Sequence, residues 1–140
     1  MSLPKIDVWY VMESHDWAFN NEEIDEGAYF YIGEVDKNNK PNGYGFRYIK
    51  DLQTVSLNYR SNGLCYGKGL SLSDTCLSIG IFNDGNWNGP GVDTFVNGSK
   101  YEGLWKNGKK DGYGKFLYPD GRTYEGGWEN ELNNGYGISR

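Results

Sequence analysis

His15 is the only histidine in the chain, so any histidine-dependent acid–base or nucleophilic site would have to be built on that one side chain. Cys65 and Cys76 sit eleven residues apart, which matches neither a redox pair nor a zinc half-site. The start Met1-Ser2-Leu3-Pro4 has no charged n-region followed by an apolar stretch, so the thiols are expected to be free and the chain cytoplasmic. Asp36, Asn38 and Asn39 offer too few oxygens for a calcium loop. Glu102 and Glu125 could pair for glycoside hydrolysis, but they occupy equivalent places in a repeat and are expected to face solvent. Gly112-Tyr113-Gly114 is not followed by the Lys-Ser/Thr of a phosphate loop. No catalytic residue, metal or cofactor is therefore expected. The aromatic residues are the remaining candidates, and Tyr101, Trp105, Tyr124 and Trp128 are the expected binding residues.

These four recur with a fixed spacing. Tyr101-Glu-Gly103-Leu-Trp105 returns as Tyr124-Glu-Gly126-Gly-Trp128 after 23 residues, and Ser78-Ile-Gly80-Ile-Phe82 precedes it by the same step. Gly89-Pro-Gly91, Gly112-Tyr-Gly114 and Gly135-Tyr-Gly137 keep that step, as do Gly98 and Gly121. Earlier copies are looser. Tyr31-Ile-Gly33 leads to Gly43-Tyr-Gly45, Gly67-Lys-Gly69 marks another unit, and Val55-Ser-Leu57 has lost its leading Tyr and Gly.

Alternation tells which elements must carry these residues. Tyr101, Gly103 and Trp105 share one face of a strand, and Gly112, Gly114, Phe116 and Tyr118 share one face of the next. Asn107-Gly108 is a hairpin signal between them. Pairing Trp105 with Gly112 across an even six-residue loop would set Gly103 against Gly114 and lay the indole over Gly112 and Gly114. The next connection must be odd, and Pro119-Asp120-Gly121 fits a type I turn with a G1 bulge, as Val96-Asn97-Gly98 does one repeat earlier. The expected fold is all-β, a single twisted antiparallel sheet built as a meander of hairpins. One face gathers Phe82, Phe95, Tyr101, Trp105, Phe116, Tyr118, Tyr124 and Trp128. The structural glycines are Gly80, Gly89, Gly91, Gly103, Gly112, Gly114, Gly126, Gly135 and Gly137. Ile6–Met12 alternates like a strand, and helix has a place only around Asp16–Glu26.

The Y-x-G-x-W, G-x-G and turn-Gly pattern at this period resembles the MORN (membrane occupation and recognition nexus) family. The resemblance is close over 78–140 and partial over 31–77, giving about five units in a repeat domain 31–140 behind an acidic cap 1–30. It implies a non-enzymatic protein-interaction or scaffold module. The alternatives it implies are a peripheral phospholipid-binding module or a non-catalytic fragment of a larger MORN-containing enzyme. A carbohydrate-binding repeat ranks third.

Composition narrows these classes. Gly is 21 of 140, about twice the usual share, and aromatics reach 16%, too many for a disordered chain. Residues 7–36 carry nine of the 19 acids and none of the 14 bases, which leaves the remainder at net +4. A total charge of −5 argues against nucleic acid as a partner. It also disfavours membrane lipid, because the clearest basic cluster is only Lys106, Lys109 and Lys110, each worth about 1 kcal/mol at an anionic surface. A one-layer sheet cannot bury both faces, so an apolar surface for a protein partner is expected. Weak self-association is expected through the C-terminal edge strand near Gly135–Ser139, which has no Pro to blunt it.

Overall fold

The computed structural model describes residues 29–49 and 53–140. Its strands are β1 (Tyr29–Val35), β2 (Pro41–Ile49), β3 (Thr54–Ser61), β4 (Leu64–Leu72), β5 (Cys76–Asn83), β6 (Asn86–Phe95), β7 (Lys100–Lys106), β8 (Lys109–Leu117), β9 (Thr123–Glu129) and β10 (Leu132–Ser139). Each pairs antiparallel with its neighbours in sequence, so the sheet is an open meander in the order β1 to β10. No helix occurs among the described residues, hence none long and apolar enough to cross a membrane. His15, the strand-like Ile6–Met12, the helix expected at Asp16–Glu26 and nearly all of the 1–30 cap lie outside the described residues.

Two turn chemistries build the meander. Asn62-Gly63, Asp84-Gly85, Asn107-Gly108 and Asn130-Glu131 all hold positive φ at both positions. That is the type I′ geometry whose twist matches the strands it joins. The β6–β7 and β8–β9 connections close on three-residue loops, through Phe95 N–H to Ser99 O and Tyr118 N–H to Arg122 O. In Val96-Asn97-Gly98 and Pro119-Asp120-Gly121 the glycine has φ +89° and donates its N–H to the residue before the turn, Phe95 or Tyr118, at 3.0 Å. This is the expected type I turn with a G1 bulge. Asp36 closes the β1–β2 turn, where its Oδ1 accepts the N–H groups of Asn38 and Lys40 at 2.8 and 3.1 Å. Those backbone donors hold its pKa below the ordinary value.

The register departs from expectation at one point. Tyr101 faces Phe116 and Gly103 faces Gly114, but Trp105 faces Lys110 and not Gly112. Asn107-Gly108 alone makes the turn, so β8 begins at Lys109 and Leu104 lies against a three-residue bulge, Asp111–Tyr113. Gly112 takes φ +102° there, a conformation that strains any residue with a β-carbon. The glycine that Trp105 faces is Gly89, on the preceding hairpin.

The indole is displaced for the same reason. A β-carbon on Gly114 would meet Tyr101, with Oη at 2.5 Å and Cε2 at 2.6 Å, while one on Gly91 would meet Trp105 Nε1 at 2.9 Å. Thus Tyr101 covers the next strand's glycine and Trp105 covers the previous one's. The rule repeats. Tyr31 lies over Gly45 and Tyr124 over Gly137, while Phe82 lies over Gly69 and Trp128 donates Nε1–H to the Gly114 carbonyl at 3.2 Å. Each tyrosine also donates its hydroxyl three residues ahead: Tyr31 to Glu34 O at 2.9 Å, Tyr101 to Leu104 O at 2.8 Å and Tyr124 to Gly127 O at 3.0 Å. A buried phenol with a partner costs far less than one without.

Candidate interaction surface

The first face of β7–β9 is a core. Tyr101, Tyr124 and Trp128 are buried, with Trp105, Phe116 and Tyr118 packed around them. Tyr101 meets Trp105 and Trp128 edge-to-face at centroid distances of 5.2 and 5.3 Å, and Tyr124 meets Trp128 at 5.4 Å. Such pairs add roughly 0.5–1.5 kcal/mol each beyond burial. Burial, with the nearby carboxylates of Glu131, Asp111 and Asp93 assisting, pushes the Tyr101 phenol up to about 12. The four aromatics expected to bind are therefore brought together, but facing one another, with only Trp105 half-buried. Of the glycines singled out in the sequence, Gly91 lies under Trp105, Gly114 under Tyr101 and Gly137 under Tyr124, whereas Gly112 lies against Leu104 and an added β-carbon on Gly135 would meet nothing within 4 Å.

The candidate chemistry resolves into structural roles. Glu102 and Glu125 both face Lys115 from opposite sides, so a base separates the two carboxylates. Glu102 also pairs with Lys100 at 3.3 Å, and Glu125 accepts the Tyr113 hydroxyl. Cys65 and Cys76 are free thiols, and burial pushes Cys76 up. Among the described residues no group of three His, Cys, Asp or Glu could hold a metal. Of the three lysines in the basic cluster, Lys106 and Lys109 are exposed, but Lys110 is turned into the aromatic core and bonds Glu131 at 2.9 Å.

One cross-strand row changes character between β6 and β7. Tyr101 faces Asp93, Asp93 faces Ser78, and the same row continues through Ser71, Ser56 and Arg47 to Tyr31. In this row polar side chains replace aromatics over β2–β6, while Phe82, Trp87 and Phe95 stay on the first face beside it. Apolar ones occupy the second, where Ile32, Phe46, Leu57, Leu70, Ile79 and Val92 are successive cross-strand partners. At the strand spacing of about 4.8 Å, this lane runs roughly 24 Å. Tyr48, Val55, Leu72 and Leu77 form a parallel row beside it. The exposed large apolar side chains of β1–β4, namely Ile32, Tyr48, Val55, Tyr59, Leu64 and Leu72, all lie on this face. In β7–β9 the lane gives way to Glu102, Lys115 and Glu125.

The aromatic repeats conceal this lane in the sequence. Its signal is the alternation Thr54-Val-Ser-Leu-Asn-Tyr-Arg60, whose apolar members have the opposite parity to the degenerate repeat positions Ser56 and Asn58. Leu70, Leu72, Ile79 and Ile81 flank Ser71 and Gly80 in the same way.

The family profile described as MORN repeat matches residues 31–51, 79–100 and 101–121. No curated protein matches the chain. The profile falls on β1–β2 and on the hairpins centred on β5–β8, and β9–β10 repeats their tyrosine, glycine and indole geometry. Period, turn chemistry and the Tyr–Gly clasp agree with that match, and the chain belongs to the MORN-repeat family.

Proposed function

We propose that this chain is a non-enzymatic protein-interaction module, and that it docks its partner on the exposed apolar side chains of β1–β4 that flank the lane. MORN repeats serve in general as interaction or lipid-binding modules. The observation favouring a protein partner here is the common orientation of the exposed apolar side chains of β1–β4. A soluble surface rarely groups large apolar residues this way unless something binds them. The four aromatics lie on β7 and β9, farther along the sheet, where they pack its neighbouring hairpins together. The charged row Glu102, Lys115 and Glu125 bounds the lane and supplies a polar rim.

Site-specific photo-crosslinkers test this reading. Placed at Leu72 and Val55 they should capture one and the same protein, whereas a crosslinker at Lys109 in the β7–β8 turn should not. Leu72→Asp should abolish that capture without lowering the melting temperature, because Leu72 is 49% exposed. Equal capture from the lane and from the turn would sink the proposal.

A further inference from the structure

Two residues depart from the repeat and converge on one point. Lys110 stands 23 residues after Trp87 and 23 before Asn133, so an ammonium occupies a place where a neighbouring hairpin puts an indole. In that hairpin Trp87 stacks on Phe82 at 3.8 Å. At Lys110 the Nζ lies 5.4 Å from the Tyr101 ring centre, 5.7 Å from Phe116, and 5.8 Å from Trp105 and Trp128. Its side chain is 13% exposed.

Glu131 is the second departure. It holds φ +75° at a turn position that the other type I′ turns give to Gly63, Gly85 and Gly108. A non-glycine residue in that conformation persists where its side chain has a task. Here its carboxylate takes both ends of Lys110, accepting the backbone N–H at 2.8 Å and the Nζ at 2.9 Å. The glutamate N–H returns to the Lys110 carbonyl at 3.1 Å.

We propose that these four rings and one carboxylate form an alkylammonium-recognition site whose resident ligand is Lys110. An ammonium facing several aromatic rings is held by their quadrupoles, and an opposed carboxylate adds direct attraction. The walls do not depend on the lysine. Tyr101 is clasped by Gly114 and bonded to Leu104, and Trp128 is bonded to Gly114. With the lysine stem removed, the cage keeps its shape and accepts a free quaternary ammonium group. Entry is through the open cleft lined by Phe116, Tyr118, Trp128, Glu131 and Asn133. This site lies on the face opposite the docking lane and is independent of it.

Choline and its neutral isostere 3,3-dimethylbutan-1-ol, titrated into the full chain and followed by tryptophan fluorescence, separate cation recognition from simple cavity filling. Lys110→Ala should bind choline at least tenfold more tightly than the isostere, Lys110→Ala with Glu131→Gln should lose most of that preference, and the wild type should show no saturation. Equal affinities for the two probes, or no saturation in Lys110→Ala, would overturn the site. Should Lys110→Ala fail to fold, the wild type still decides. The Lys110 ε-methylene protons must resonate upfield from the currents of four rings, and an ordinary lysine position would refute the cage.

Discussion

Tyr101 lies so closely over Gly114 that a β-carbon on the glycine would come within 2.5 Å of the phenolic oxygen. The ring cannot yield, because it is fully buried and its hydroxyl is committed to Leu104 O at 2.8 Å. Gly114→Val should therefore destabilise the fold by about 1–3 kcal/mol, the range for forcing extra carbons into a packed core. Lys109→Val, at an exposed position, should be nearly silent. Matching urea midpoints for the two variants would disprove the clasp.

Alkaline pH should loosen the same clasp. The fold raises the Tyr101 phenol from 10.0 to about 12, mainly by burial, so it favours the neutral form. The associated stability is complete below pH 10 and is lost as pH climbs from 10 through 12. A shift of this size corresponds to roughly 3 kcal/mol. Unfolding midpoints measured between pH 9 and 12 should fall accordingly, and Tyr101→Phe should flatten the fall while lowering stability at neutral pH. An unchanged slope in Tyr101→Phe would assign the effect to other groups.

The repeat made the hairpin parity legible but assigned the wrong ring to Gly114, the Trp105 indole in place of Tyr101. The 23-residue period requires one even and one odd connection, and Pro119-Asp120-Gly121 and Val96-Asn97-Gly98 specify the odd one. What parity could not decide was the partner of Trp105. Lys110 and Gly112 both keep it on the same face, and only the bulge at Asp111–Tyr113 selects Lys110. The apolar lane is encoded in the alternation from Thr54 to Arg60, whose apolar members fall on the face opposite the degenerate repeat positions. The Lys110 cage was not legible. Its rings come from β7, β8 and β9 and its carboxylate from the last turn, so it exists only once the hairpins are stacked.

Lipid binding should be feeble. Of the basic cluster, Lys110 is neutralised by Glu131 and enclosed by rings, which leaves Lys106 and Lys109 to meet an anionic surface. Two such charges contribute about 2 kcal/mol together, against a chain of net charge −5. Co-sedimentation with phosphatidylserine vesicles at physiological salt should recover almost no protein. Substantial recovery, lost in Lys106→Gln with Lys109→Gln, would instead establish a peripheral lipid-binding module.

The outer edge of β10 is the place to look for self-association. Among the described strands β10 pairs only with β9, and Tyr136 is wholly exposed. Thr123 and Arg140 exchange both backbone hydrogen bonds at 2.8 Å. Alternation along an antiparallel pair then turns the Ile138 N–H inward to β9 and the Gly137 and Ser139 N–H groups outward. Unpaired edge groups are templates for a further strand unless blunted, and no proline stands between Leu132 and Ser139. We propose that two copies pair weakly through this edge. Sedimentation velocity over a rising concentration series should show a reversible dimer. Ser139→Pro should abolish it, because that substitution removes an outward donor and spares the β9–β10 ladder. Ile138→Pro is the contrasting variant, expected to lower the melting temperature by breaking an inward bond. A wild type that remains monomeric at high micromolar concentration, or a Ser139→Pro variant that still dimerises, would exclude pairing by this edge.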